Sequence, residues 1–289
     1  MVSPFVSATW LRHRLLDGLK NLRVVDGSWH GPSSKNNGKK DFERQRIESA
    51  VFFDIDEASD KKTDLPNMLP SPEEFAEYVG KLGISNNHHV IVYDNNPEYG
   101  VFSSPRVWWT FRVFGHNDVS VLDGGLPRWV SQGYPTVSGP HPTPTPLPYK
   151  ATYQPHLVRT INQMLDNFNT HAEQVVDARS KERFDGTAPE PVPRVPSGHI
   201  IGALNLPFVK MLDPNTRLMV TKQQIQEEFE KAGVDMNKPM VASCARGITA
   251  CTLALGAAIL GKEIPVYDGS WYEWLQKAPK ETYKLGIKS

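Results

Sequence analysis

Two kinds of stretch alternate along the chain. Short apolar runs, Val24–Asp26, Val90–Tyr93 and Ser120–Leu122, read as buried strands in the first half. Val175–Asp177, Met240–Ser243 and Pro265–Tyr267 are their counterparts in the second. Between them, PSPEEFAEYVGKLG (70–83) and TKQQIQEEFEKAG (221–233) carry apolar residues at helical spacing, with a Ser or Thr to cap the first amides and a Gly at the end. The PRVWWTFRVF stretch (105–114) is also helical, and its aromatics suit core packing. This alternation predicts an α/β fold in each half, with mainly parallel sheets flanked by helices. Ligands of such sheets bind beyond the carboxyl ends of the strands.

The two halves are copies. LRVVDGSW ends its apolar run at Asp26 and QVVDARS at Asp177; Ile47-Glu48-Ser49-Ala50 matches Ile200-Ile201-Gly202-Ala203. HVIVYD ends at Asp94 where PMVASC ends at Cys244, a spacing of 150, and Asp123 matches Asp268 at a spacing of 145. Four landmarks in one order mark an internal repeat. The drift from 150 to 145 places a longer loop after Asp94 than after Cys244.

Between the copies, residues 134–155 hold seven prolines in 22 positions. Each fixes φ and removes an amide donor, so the segment reads as an extended linker and marks the boundary. The division is a domain over 1–135, a Pro-rich linker over 136–153 and a second domain over 154–289.

Composition narrows the function. The 289 residues suit two domains of ordinary size. Thirty-two basic and 32 acidic residues cancel, so no global field points to nucleic acid or a membrane surface. The longest apolar stretch, Leu253–Leu260, is too short to span a bilayer. Two cysteines, Cys244 and Cys251, are too few for a disulfide scaffold or a four-cysteine zinc site, and no histidine spacing suggests a metal. No cofactor motif is read. The N-terminus lacks the order of a secretory signal. A free thiol favours the cytoplasm, and Arg12 and Arg14 with no acid before Asp17 leave a mitochondrial address open.

The sharpest chemistry lies in KPMVASCARGITACTLALGAAILG (238–261). An apolar strand ends at Cys244, a short loop turns at Gly247, and a helix begins near Ile248 or Thr249. The amides of Ala245, Arg246, Gly247, Ile248 and Thr249 then converge near the sulfur, and a helix start favours an anion there. Such a site turns a thiol into a nucleophile, and Arg246 adds a fixed charge. The alternative is that Cys244 is a small buried hydrophobe. The repeat weighs against that, because its counterpart is Asp94 and only one copy holds a nucleophile. Cys251 reads as helix packing, and Arg179 as a structural residue tying the strand end to nearby loops.

Cys244-Ala245-Arg246-Gly247-Ile248-Thr249-Ala250 resembles the active-site loop of tandem rhodanese-domain enzymes, the thiosulfate and 3-mercaptopyruvate sulfurtransferases. FFDID (52–56), SSPRVWWTFRVFGH (103–116), SVLDGG (120–125), GHIIGALNLPF (198–208) and VYDGSWYEW (266–274) extend the likeness over nearly the whole chain. The resemblance implies two rhodanese-like domains, the first non-catalytic. It implies that Cys244 takes sulfur from an anionic donor as a persulfide and passes it to cyanide, sulfite, a thiol or thioredoxin. It also implies that Arg183 holds the donor's anionic group, with Arg194, which ends PEPVPR, as a second binding arginine and Arg246 as a third.

Two positions depart from the family pattern. Mercaptopyruvate-type loops carry small residues and a Ser or Thr after the cysteine, and thiosulfate-type loops carry Arg then Lys; Ala245 then Arg246 fits neither. Arg46 stands where a first-half histidine is often found, so the Ser–His relay proposed for mercaptopyruvate enzymes cannot be assembled. Both departures lean toward thiosulfate, but a basic pocket would also accept the carboxylate of 3-mercaptopyruvate, so the donor is thiosulfate or 3-mercaptopyruvate. Rhodanese-fold phosphatases need an arginine at the position of Ala250, which makes that reading poor. A sulfur carrier or redox sensor that does not turn over is the non-enzymatic alternative.

Overall fold

The computed structural model describes residues 2–18 and 20–286. Packing divides the chain into two units: Met1–Lys62, Leu69–Gln154 and Pro214–Met219 form one, and Thr63–Met68, Pro155–Asp213 and Val220–Ser289 the other.

Each unit holds a five-stranded, all-parallel sheet. In the first the order is Val51–Phe52, Leu22–Asp26, His89–Tyr93, Val119–Leu122, Phe5–Val6. In the second it is Leu204–Asn205, Gln174–Asp177, Met240–Ser243, Val266–Tyr267, Val158–Arg159. The central strands are those expected from the apolar runs, and the orders correspond strand for strand. The edge strands of two residues each escaped the pattern, because so short a run has no period. The expected helices are Pro72–Lys81 and Lys222–Lys231, each opened by a capping box, Ser71 with Glu74 and Thr221 with Gln224. Gly83 and Gly233 follow them in left-handed backbone, which glycine adopts without steric cost. Among the described residues no helix is long and apolar enough to cross a membrane.

The proline-rich stretch is strapped to the first unit. Thr136–Val137 pairs antiparallel with Arg46–Ile47. The Leu147 N–H donates to the Gly80 carbonyl at 2.9 Å, and those of Thr152 and Gln154 donate to Phe114 and Val113 at 2.9 and 2.7 Å. Arg46 is buried against the Phe42 ring and donates to the Gly139 carbonyl at 2.8 Å. The residue that departs from the family pattern thus anchors the strap.

The repeat also exposes an unanswered charge. Asp26 ends its strand as Asp177 does, but Ser28 stands where Arg179 stands, and among the described residues no cation pairs with Asp26. Burial pushes the Asp26 carboxyl up to about 7, against hydrogen bonds from the Ser28 hydroxyl and N–H that pull it down, and nearby Asp94 adds a smaller push. The folded chain therefore keeps this proton to a higher pH than the unfolded chain. Its stability falls as pH rises through the window from the ordinary carboxylate range to about 7. Asp26→Asn removes that titration. We expect its effect on unfolding free energy in urea to be more favourable at pH 8 than at pH 5 by about 2–3 kcal/mol. Equal effects at the two pH values would count against the raised carboxyl.

Candidate active site

Cys244 sits at the carboxyl end of the central strand of its sheet. Met240–Ser243 is buried between Gln174–Asp177 and Val266–Tyr267, so the backbone leaving it is fixed on both sides. The loop turns at Gly247, φ +71°, and the helix Ala250–Ile259 follows with Thr249 as N-cap. That helix is apolar and buried over Ala250–Ala257, which holds its start rigid under the loop. Cys244 keeps 2% of its surface, and Cys251, the second residue of the helix, keeps none. Both are free cysteines. The Cys251 thiol donates to the Gly247 carbonyl at 3.2 Å, consistent with its reading as packing.

The turn after Val266–Tyr267 clamps the loop. The Trp271 N–H donates to the Cys244 carbonyl at 3.0 Å and the Tyr272 N–H to that of Ala245 at 3.1 Å. Ser270 Oγ accepts the Cys244 and Gly247 N–H groups at 3.1 and 3.2 Å, and its own proton goes to the Tyr267 carbonyl at 2.7 Å. Its contact with Cys244 Sγ, at 4.0 Å, is at the outer limit for a bond to sulfur. Ser270 holds φ at +51°, a conformation costly for a residue with a Cβ. Its counterpart Gly125 has φ +57°. The clamp was missed in the sequence because Gly-Ser-Trp reads as an ordinary turn. The available signal was the repeat, which puts a hydroxyl at this position only in the copy with the cysteine.

The first unit holds the same architecture with its own anion in place. Asp94 Oδ2 accepts the N–H groups of Phe102, Ser103 and Ser104 at 2.8, 2.9 and 2.8 Å, at the start of the helix Ser104–Val113. The N-caps Ser103 and Thr249 share right-handed helical backbone and lack a side-chain cap bond. By that equivalence the amides of Ile248, Thr249 and Ala250 match the three that hold the Asp94 carboxylate. The Gly247 N–H, expected among the amides around the sulfur, donates to Ser270 Oγ at 3.2 Å.

The arginines fall into three situations. Arg179 is sealed in the core, with hydrogen bonds to both Asp177 oxygens, to Glu190 Oε1 at 2.9 Å and to the Gly198 carbonyl at 2.7 Å, and its guanidinium lies over the Trp271 ring. It is the structural tie expected of it. Asp177 pairs in register with Ser243, so this network begins one residue from the cysteine. Glu190, fully buried, holds Arg179 with one oxygen and Arg183 with the other. That second role of Glu190 was invisible in the sequence, where it was only part of PEPVPR. Arg183 remains partly open, with 24% of its side chain exposed. Arg246 packs with its Cζ 5.6 Å from the Tyr272 ring centroid, and Arg183, Arg246 and Glu190 all act electrostatically on Tyr272. Arg246 and Arg183 thus both lie within electrostatic reach of Tyr272, whose N–H is bonded to the residue that follows Cys244. Arg194 is exposed, with φ +69°, and among the described residues no contact ties it to Arg183, Arg246 or Tyr272.

Known proteins share this sequence and fold. The Rhodanese-like domain family matches residues 7–132 and 160–277. The chain is 43% identical over 282 residues to a thiosulfate sulfurtransferase of Bos taurus, covering 96% of this chain and 94% of that protein. It is 42% identical over 289 residues to a 3-mercaptopyruvate sulfurtransferase of Homo sapiens, covering 97% and 96%. The SseA protein of Escherichia coli, a 3-mercaptopyruvate sulfotransferase of rhodanese fold, superposes with a TM-score of 0.83 at 33% identity, covering 93% of this chain and 99% of that one. Tum1 of Saccharomyces cerevisiae gives a TM-score of 0.85 at 32% identity, with 96% of each chain covered. With two rhodanese-like domains in tandem and relatives of both donor types over most of its length, the chain belongs to the family of thiosulfate and 3-mercaptopyruvate sulfurtransferases.

Proposed function

We propose that the chain moves a sulfane sulfur from a small anionic donor to a thiophilic acceptor through a persulfide on Cys244. The observation that carries this is the internal template: the copy without a cysteine holds a carboxylate on three helix-start amides where the other copy has its thiol. A site built for an anion suits a thiolate and, after transfer, a terminal persulfide sulfur.

With thiosulfate, the Cys244 sulfur attacks the outer sulfur. A new S–S bond forms, the bond to the sulfonate sulfur breaks, and sulfite leaves with its electron pair. Cyanide, a thiol or a thioredoxin-like protein then attacks the terminal sulfur, and the thiolate is restored. Arg183 holds the donor's charged group, its position set by Glu190. Arg246, two residues from the nucleophile, favours a dianionic donor, so thiosulfate is preferred over 3-mercaptopyruvate. Residues 1–135 form the supporting domain, with Asp94 in the cysteine's place, and 154–289 the catalytic one. Two free cysteines suit a reducing compartment, the cytoplasm.

Steady-state transfer to cyanide, measured with each donor, tests the reading. We expect turnover with both, and kcat/KM for thiosulfate higher by about ten-fold, the scale of one charge-assisted contact. The reverse order would remove the role given to Arg246. A single sulfur taken up on Cys244 without turnover would mark a sulfur carrier.

A further inference from the structure

Tyr272 has no part in the transfer as described, yet its side chain lies among the donor-site charges. Its N–H is tied to the Ala245 carbonyl, so the residue is held to the cysteine loop itself. The Arg246 guanidinium lies 5.6 Å from its ring centroid. Burial pushes the Tyr272 hydroxyl up to about 12; Glu190 adds to this, and Arg246 and Arg183 oppose it. The phenol therefore stays protonated at neutral pH and is a hydrogen-bond donor. Among the described residues nothing accepts that bond, and the hydroxyl is not one of the sealed polar atoms.

A neutral donor next to the Arg246 guanidinium and within electrostatic reach of that of Arg183 fits an anion with more than two oxygens. A sulfonate group presents three oxygens on one face, and a carboxylate presents two. A planar guanidinium fork meets the two oxygens of a carboxylate edge-on, whereas the three oxygens of a sulfonate cannot all lie in the plane of one fork, and the oxygen outside it is open to a donor from another direction. We infer that Tyr272 is a specificity-determining residue, its ring backing Arg246 and its hydroxyl giving the third hydrogen bond to the sulfonate end of thiosulfate. This rests on the reading of Cys244 as the sulfur acceptor.

Tyr272→Phe keeps the ring under Arg246 and removes only the hydroxyl. We expect KM for thiosulfate to rise about ten-fold, with kcat and the KM for cyanide unchanged, because a hydrogen bond to a charged group is lost from donor binding alone. KM for 3-mercaptopyruvate should change by less than about three-fold, since its carboxylate does not use the third donor. Tyr272→Leu, which also removes the ring from Arg246, should raise KM for both donors. Equal rises for both donors in Tyr272→Phe, or a fall in kcat with KM unchanged, would overturn the inference.

A binding measurement separates this inference from the transfer reading. Thiosulfate is titrated calorimetrically into Cys244→Ser and into the Cys244→Ser, Tyr272→Phe double variant, neither of which can accept sulfur. About ten-fold weaker binding in the double variant supports the contact even if the wild-type chain does not turn over. Equal affinity, or no binding to either, overturns it. Failure of the transfer reading alone would appear as wild-type protein that binds thiosulfate but gains no sulfur on Cys244.

Discussion

Cys244→Ser ends sulfur transfer, lowering turnover by at least about four orders of magnitude, while Cys251→Ser keeps it within a few-fold of wild type. Serine matches the shape of cysteine, so the loop and its bonds to Ser270, Trp271 and Tyr272 persist. An alkoxide, however, is out of reach at neutral pH, and oxygen does not hold a transferable sulfur as a persulfide does. Three helix-start amides favour an anion by a few kcal/mol, too little to ionise a hydroxyl. Cys251 is fully buried, and its bond to the Gly247 carbonyl is one that serine reproduces. The check is thiosulfate-to-cyanide turnover together with intact mass after donor alone. The wild-type and Cys251→Ser chains should each gain the mass of one sulfur atom, and Cys244→Ser none. Added sulfur on Cys251, or turnover in Cys244→Ser above about one per cent of wild type, would move the chemistry elsewhere.

The parts legible in the sequence were those in which one physical demand dominates. Val90–Tyr93 and Met240–Ser243 are buried on both faces of a parallel sheet, so they are apolar without interruption and cannot be hidden. The capped helices announced themselves through Ser71 with Glu74 and Thr221 with Gln224. The cysteine loop was legible because strand, thiol, glycine and helix follow one another within a few residues. What stayed hidden was assembled across distance. Ser270 reaches back 26 positions to the Cys244 amide. Glu190 joins Arg179 and Arg183 from a loop that carries no period of its own. No local pattern encodes a buried carboxylate shared by two guanidiniums. The repeat was the most informative feature, because each copy displays what the other has changed: Ser28 for Arg179, Asp94 for Cys244, Gly125 for Ser270.

Glu190→Gln is expected to destabilise the chain by about 3–5 kcal/mol, the range for breaking a buried ion pair from one side. Glu190 is fully buried, and its two oxygens take one guanidinium each. With Asp177, Arg179 and Arg183 the group is balanced, two cations against two anions. Glutamine keeps the shape but offers one acceptor and an amide donor, so an N–H group must face a guanidinium and one positive charge stays unanswered in the core. The same change frees Arg183, so KM for thiosulfate should rise as well. A loss of fold alone could mimic that effect, and Arg183→Lys separates the two. Lysine keeps the cation and leaves the bond between Glu190 and Arg179 in place, but it lacks the planar fork that meets a sulfonate edge-on. Its stability should stay within about 1 kcal/mol of wild type, because the Arg183 side chain is partly open to water, while KM for thiosulfate rises about ten-fold. Urea denaturation and steady-state kinetics on both variants distinguish the outcomes. A stable Glu190→Gln chain would show that the four charges are not coupled. An unchanged KM in Arg183→Lys would leave the donor to Arg246 and Tyr272 and would separate the donor site from the buried ion-pair network beneath it.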